Sequence, residues 1–492
     1  MLISPLLQHP STSPRTSGVI NMMKVNTGSS SSPYLHNADI SAPVTIQCPS
    51  TETVSESPLS IGIYHAIQEI IPDFLGNQIR PQDLIIQNLT GGLSNSLFTV
   101  RTKMTETEEI STGTRINTVL VRLHNPQEED ASVSIVNRSI ENKISAELSL
   151  HGVAPVYYGR FSNGRLEQFY EGMRTLSYQE MSRLKYTRAI AIQLAKLHKV
   201  HVPCLMELEL ELEGCSRSLE NSGDGDGDGD GDGDGDSDGD GCFRGQIWGR
   251  IDDWIHLAKK GSECASISND NDELIPSMLA EIQTEWIWIQ GELRAGSEGY
   301  KTNHTKKSKH DQLVVQRAME FCRGVVFTHM DCQSLNIMTP EHAQDDDDED
   351  DDDDAIADIR LIDFEYAGMN PRAVDLANTF AEFCDMNNLK PAYAAQYPSA
   401  CVQDVFFMAY IRENDCALAK DLDDMGKVDV ELFLLTMRGE VGKNSLLSHL
   451  CWSCWALIQF SASSIAFDYI TYAKVRLEGY HFFKEKHWPH LY

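Results

Sequence analysis

The sequence predicts an α+β protein of two lobes: an N-terminal β-sheet with a helix, then a larger, mainly helical part. Three observations carry this. β-Branched, alternating runs cluster between residues 83 and 169, and apolar periodicity near 3.6 residues prevails from Tyr186 onward. Within the helical part, two strand-like runs, Asn336-Ile337-Met338 and Ile359–Ile362, flank an acidic insert and read as a hairpin with an expanded loop.

Residues 1–56 are rich in Ser, Thr, Pro and Asn with little periodicity, too little apolar surface to offset the entropy of ordering, so they are expected to be disordered. A transit peptide is the alternative, with thin support from Arg15 and Lys24 and with Met22 or Met23 as an alternative start. Residues 57–170 are expected to form the N-lobe. Ile61–Ile71 reads as a helix, and Asp83–Leu89 and Ser96–Thr102 read as strands around Thr90-Gly91-Gly92-Leu93-Ser94-Asn95. Adjacent glycines let backbone N–H groups approach phosphate oxygens, with Ser94 and Asn95 as further donors, although such a turn alone can be just a hairpin. Val119–Leu123 is a strand with one cation, Arg122, and Val136–Leu150 is a helix carrying Glu141. His151-Gly152-Val153-Ala154-Pro155 breaks that helix, and Tyr157–Phe161 and Arg165–Phe169 pair about Asn163-Gly164.

Residues 171–492 are expected to form the C-lobe, with disordered acidic inserts at about 213–242 and 343–355. Tyr186–Lys199 is an amphipathic helix, Glu281–Leu293 a packing helix, Tyr300–Asp311 a loop and Leu446–Tyr480 one long helical stretch. His198 and His201 invite a metal reading, but the His-Glu-x-x-His pattern is absent and core packing and capping explain them better. Gly223–Gly241 alternates Gly with Asp. It resembles the start of a calcium loop but lacks the terminal Glu and flanking helices, so only weak, non-specific Ca²⁺ binding is expected.

The formal charge of −32 is partly local: nineteen carboxylates lie in the runs 223–241 and 345–354, and the rest of the chain carries −13. Such a surface repels nucleic acid and anionic membrane. No apolar run is long enough to span a bilayer, and the 12 cysteines are scattered, so a reducing, cytoplasmic setting is expected. Cys451-x-x-Cys454 has no second Cys/His pair at zinc spacing and reads as buried small side chains, with a metal or redox pair as the alternative.

Chemistry concentrates between Val325 and Glu382. The hairpin would bring Asp331 and Asn336 close to Asp363. Phosphoryl transfer from a magnesium nucleotide needs this set: one carboxylate to receive the acceptor's proton, and an Asn and a second Asp to hold Mg²⁺ on the phosphates.

Thr328-His329-Met330-Asp331 to Asn336, the run Ile362-Asp363-Phe364-Glu365-Tyr366-Ala367-Gly368, and Asp375-Leu376-Ala377-Asn378 with Phe383 resemble the signature of choline/ethanolamine kinases. The resemblance runs from about Leu84 to Lys484 and implies a bilobal protein-kinase-like fold. It departs at Met330, where the family usually has Asn before the catalytic Asp. It implies ATP and Mg²⁺ as cofactors, Asp331 as base, Asn336 and Asp363 as metal ligands, and Gln333 and Glu365 as polar groups near phosphate or metal. It also implies that Gly91, Gly92, Ser94 and Asn95 cover the nucleotide, that Arg122 takes the phosphates with Glu141 as its partner ion, and that the backbone at Gln168 and Phe169 meets the adenine edge. Trp452, Trp455, Phe467 and Tyr472 fall where the family's aromatic cage falls, and aromatic faces attract an ammonium group. Glu382 would add the anion.

The expected reaction is ATP-dependent phosphorylation of ethanolamine, which opens phosphatidylethanolamine head-group synthesis. Choline is the alternative substrate. An aminoglycoside-type kinase and a catalytically inactive kinase-like binding protein are further alternatives, opposed by the aromatic wall and by retention of Asp331, Asn336 and Asp363. The lean toward ethanolamine rests on Asn387, where choline-preferring members commonly carry Tyr, and on His151-Gly-x-Ala-Pro155 and Trp455–Gln459, against a choline-like Gly164–Gln168. The expected partners are a small amino alcohol and, as an open expectation, a second copy of the chain.

Overall fold

The computed structural model describes residues 41–42, 58–75, 79–89, 95–103, 117–124, 137–202, 245–264, 274–299, 308–344, 356–463 and 465–488. For residues 41–42, Asn95, Cys264 and 294–299 it gives the backbone alone. Gly91, Gly92, Ser94 and both acidic runs lie outside the described residues.

Six strands form the first sheet: β1 Ser41–Ala42, β2 Leu84–Leu89, β3 Asn95–Thr102, β4 Thr118–His124, β5 Tyr157–Phe161 and β6 Gly164–Gln168. Their spatial order is β1-β5-β6-β4-β3-β2, antiparallel throughout except that β1 runs parallel to β5. Thus two residues of the segment expected to be disordered pair with the sheet, through backbone groups that carry no sequence signal. Helix Pro58–Ile70 packs Ile63, Ile67 and Ile70 against Phe98, Val100, Val119, Val121 and Leu166. β4 lies inside the sheet and is covered on both faces, which is why Arg122, a type usually solvated in strands, is buried here. Gly164 lets β6 approach β4, since a Cβ there would lie 2.2 Å from the Arg122 carbonyl oxygen. Asn137 caps helix Arg138–Leu150 by accepting from the N–H groups of Ser139 and Ile140, and the helix delivers Arg138 and Glu141 beneath the sheet.

The second part is mostly helical. Small ladders support its functional loops: β7 Met173–Thr175, β8 Val325–Thr328, β9 Ile337–Pro340, β10 Arg360–Leu361 and β11 Gly368–Pro371. β9 and β10 are antiparallel, with Arg360 opposite Met338 and Leu361 opposite Ile337, as the interrupted hairpin required. β11 pairs with β8, so the chain re-enters beside the segment that leads to Asp331. Residues 343–344, expected within a disordered insert, end a short 3₁₀ helix, Glu341–Gln344.

Two expectations about helices are corrected. The stretch 446–480 is two elements, Lys427–Ala462 and Tyr469–His487. The break falls where Ser463 accepts hydrogen bonds from the Ile465 N–H and the Tyr469 hydroxyl and Asp468 caps the second helix at Thr471, side chains that compete with helical backbone bonding. The loop expected at 300–311 ends early, because Ser308 and Asp311 form a capping box that starts helix Lys309–Arg323. His198 is the C-cap of helix Leu184–Leu197 and is buried, as packing and capping required, while His201 is exposed. Cys451 and Cys454 are free, buried thiols. Among the described residues no helix is long and apolar enough to cross a membrane.

Candidate active site

Asp331 sits on a loop whose conformation is imposed from below. Met330, just before it, has φ 66°, the left-handed region that costs a side-chain-bearing residue energy. The turn is held by Asp375 in the first turn of helix Arg372–Ala381, which accepts the N–H groups of His329 and Met330, each at 2.8 Å. Asp375 also meets His198 Nε2 at 2.9 Å, and His198 Nδ1 meets the Tyr410 hydroxyl at 2.5 Å. Burial pushes the His198 pKa down, so a neutral ring that donates to Asp375 and accepts from Tyr410 fits both contacts. Burial would raise the Asp375 pKa, but the hydrogen bond from His198 and that from the His329 N–H hold it below the usual range. The Met330 side chain is buried in the core, which accounts for a Met at a position whose backbone suits Asn.

His329 joins the two halves of the hairpin. Its Nδ1 lies 3.2 Å from the Asp331 N–H, its Nε2 lies 3.1 Å from the Ile362 carbonyl, and its ring packs on Phe364. Asp363 therefore follows directly from a residue bonded to the Asp331 loop, and it too has φ 66°. Asn336 donates its Nδ2 to Asp331 at the backbone oxygen (2.9 Å) and at Oδ2 (2.7 Å), and Gln333 Nε2 reaches the same Oδ2 at 3.4 Å. Asp331 is buried, and its pKa is driven well above the ordinary carboxylate value by burial first, then by the charges of Glu382, Asp363 and Glu365.

On the sheet side, Arg122 Nη1 lies 3.3 Å from Asp363, and its Nε lies 3.6 Å from Glu167. Glu141 is not its direct ion partner, contrary to expectation. Arg165, directly opposite Arg122 on β6, takes Glu141 at 2.5 Å, and Arg138 takes its other oxygen at 2.8 Å. Two facing buried arginines would repel, and the interposed Glu141 and Glu167 remove that cost. Arg138 reaches onward to Glu365 at 3.1 Å, so both carboxylates of Asp363-Phe364-Glu365 are bound by arginines of the N-terminal part. Burial and Asp363 push the Glu365 pKa up to about 7. The N–H and side-chain oxygen of Gln168 are both engaged by Val156, and Phe169 is half-buried at the strand's end.

The aromatic residues converge. Trp452 and Trp455, one turn apart, have ring centres 5.6 Å apart, and both Trp455 and Phe467 lie 5.8 Å from Tyr472. Tyr366 joins them, 5.1 Å from Trp452 and accepting from Trp455 Nε1 at 2.8 Å. Asn378 orients Trp452 by accepting its Nε1 at 2.9 Å. Burial raises the pKa of both Tyr366 and Tyr472, and the charge of Asp331 adds to each shift. Glu382, the C-cap of helix Arg372–Ala381, is held by Arg476 at 2.6 Å. Asn387 is exposed on the following turn.

The sequence reading missed the supporting cations and aromatics, Arg138, Arg165, Arg476 and Tyr366, and the His198–Asp375 bracket. Only the spacing of Arg476 four residues after Tyr472, on one helix face, could have signalled such a pair.

The choline/ethanolamine kinase family model matches residues 86–481. The chain is 24% identical to the probable ethanolamine kinase A of Dictyostelium discoideum over 430 residues, 87% of this chain and 93% of that one. It is also 24% identical to the probable choline kinase 3 of Arabidopsis thaliana over 85% of this chain and 90% of that one. The solved ethanolamine kinase of Plasmodium vivax shares the fold, with a TM-score of 0.58 and 21% identity over 89% of this chain and 93% of that one. With the match covering most of the sequence and the bilobal architecture in place, the chain belongs to the choline/ethanolamine kinase family.

Proposed function

We propose that this kinase transfers the γ-phosphoryl group of ATP to the hydroxyl of ethanolamine in preference to choline, with Asp331 as general base. The single observation that carries the reading is the position of Asp331 between two arrays: the Asn336–Asp363 pair with Arg122 on one side, Glu382 and the aromatic cage on the other. The donor set fits a hard cation. Asn336 commits its Nδ2 to Asp331, which leaves the amide oxygen, and Asp363 adds a carboxylate. Among the described residues no cluster of three or more His, Cys, Asp or Glu forms a closed metal cage. Two oxygen ligands completed by phosphates suit Mg²⁺, which keeps to few protein ligands. Bound there, Mg²⁺ would neutralise charge on the transferred phosphoryl group.

The chain's own residues do the rest. Asn336 and Gln333 orient the Asp331 carboxylate toward an incoming hydroxyl, whose proton it receives as the oxygen attacks phosphorus. Arg122 offers a buried positive charge beside Asp363, where phosphate oxygens would gather. Burial first, and then the charges of Glu382, Asp363 and Glu365, disfavour the ionised Asp331 carboxylate, and a cationic substrate and metal would favour its basic form. Asn387 supplies no aromatic face, and a primary ammonium, which has N–H donors for Glu382, loses less by that than a quaternary one. The buried free thiols suit the proposed cytoplasmic, reducing setting.

The test is competition of ethanolamine and choline at equal concentration with ATP and Mg²⁺. Preferential phosphoethanolamine is expected, and preferential phosphocholine would sink the ethanolamine assignment while leaving the kinase assignment standing.

A further inference from the structure

We propose that Arg476 is a specificity-determining residue of the amine site: it occupies part of the aromatic cage itself and fixes how much of Glu382 remains for a substrate. This rests on the amino-alcohol reading above. Arg476 lies one turn beyond Tyr472 on helix Tyr469–His487. Its Nε donates to the Tyr472 hydroxyl at 3.0 Å, and its Nη2 donates to the same hydroxyl at 2.5 Å and to Glu382 Oε1 at 2.6 Å. The guanidinium carbon stands 5.0 Å from the Tyr472 ring centre and 5.8 Å from that of Trp452. Two faces that would receive a substrate ammonium thus already carry a cation. That cation is permanent, since Arg476 is fully buried beside a carboxylate and its guanidinium does not deprotonate.

Two consequences follow for the substrate. An ammonium entering the cage meets a like charge, so it is favoured on the carboxylate side, between Asp331 and the second oxygen of Glu382. That oxygen accepts a hydrogen bond only from a nitrogen that carries hydrogen. A trimethylammonium group has none, and it needs aromatic faces on several sides, two of which Arg476 shares. The pocket therefore selects for N–H donors, and selection should weaken when Arg476 is removed.

The experiment measures kcat/KM for ethanolamine, N-methylethanolamine, N,N-dimethylethanolamine and choline. For the unmodified protein the value is expected to fall along the series, most steeply at the last methyl, where the final N–H is lost. Arg476→Met is expected to raise the choline-to-ethanolamine ratio by about tenfold, carried by the amine KM, with the KM for ATP unchanged. Arg476→Lys, which keeps the charge without the fork, should move the ratio less. If Arg476→Met does not fold, the double variant Glu382→Gln/Arg476→Met leaves no unpaired buried charge and is expected to show the same direction. A flat methylation series, or an equal loss for both amines in the folded variant, would overturn the proposal and reduce Arg476 to a structural ion pair. Turnover of no amine by the unmodified protein would overturn the amino-alcohol reading itself.

Discussion

Replacing Asp375 by Asn tests whether the reacting loop is held from below. Asp375 is fully buried and accepts three hydrogen bonds: Met330 N–H at Oδ1, and His329 N–H and His198 Nε2 at Oδ2. Bonds to a charged group contribute about 1.5–3 kcal/mol each. The amide of Asn is best placed with its oxygen toward the two donors at Oδ2, which sets its NH₂ against the Met330 N–H. One bond is lost, two lose their charge assistance, and a donor faces a donor, so a loss of about 2–4 kcal/mol is expected. Met330 then has no partner to hold it at φ 66°, a conformation that costs about 1–2 kcal/mol, and its relaxation moves Asp331. A displacement near 1 Å costs on the order of 10²-fold in rate. The expected outcome is a lower urea midpoint and a kcat reduced about a hundredfold, with the KM for ATP nearly constant. An Asp375→Asn protein within about 0.5 kcal/mol of the unmodified one, turning over normally, would refute the argument.

Asp331→Asn is expected to keep nucleotide binding and to lose phosphoryl transfer by about 10²-fold or more, read by calorimetry and initial rates. The same variant should be more stable in the absence of substrates. The native Asp331 pKa is raised, so native stability declines as pH climbs from the unfolded carboxyl value near 3.9 through the native value. The stability gap between variant and unmodified protein should be wide at pH 8 and close toward pH 4 in denaturation series. Replacing residues 345–354 by Asn-Gly should leave melting temperature and kcat nearly unchanged, because loop closure depends only logarithmically on length. A collapse of either would make the acidic run part of the site. Asn387→Tyr should shift the choline-to-ethanolamine ratio toward choline, measured as kcat/KM for each amine. An unchanged ratio would remove Asn387 from the specificity argument and leave Arg476 as its main structural basis.

What was legible in the sequence was whatever repeats at short range. The alternating strands of the sheet, the helix carrying Glu141 and the Asp331–Asn336–Asp363 spacing follow from local pattern, and the structure pairs Ile337 with Leu361 on either side of the acidic run. Long-range polar pairs leave no such trace. Arg165 meets Glu141 over 24 residues, His198 meets Asp375 over 177, and Glu382 meets Arg476 over 94, each as an ordinary charged residue in a local window. The assignment of Glu141 to Arg122 failed for this reason, since the strand opposite Arg122 could not be seen to carry a second arginine. The helix break before Tyr469 was written in Ser463 and Asp468, a signal masked by the apolar periodicity on either side.

The two arginine bridges from the sheet to Asp363 and Glu365 have a consequence for how the lobes can part. Any opening that carries Arg122 and Arg138 away strips the partly buried Asp363 and the buried Glu365 carboxylate of counter-charge in a single movement. Such a gap is costly in a low-dielectric interior, and it is cheapest when another cation already stands in the cleft. Lobe separation would thus be tied to the charge in the cleft, resisted when the cleft is empty and eased when a cation stands there. Raising ionic strength should weaken these bridges less than exposed surface pairs, because Arg122 and Glu365 are shielded from solvent.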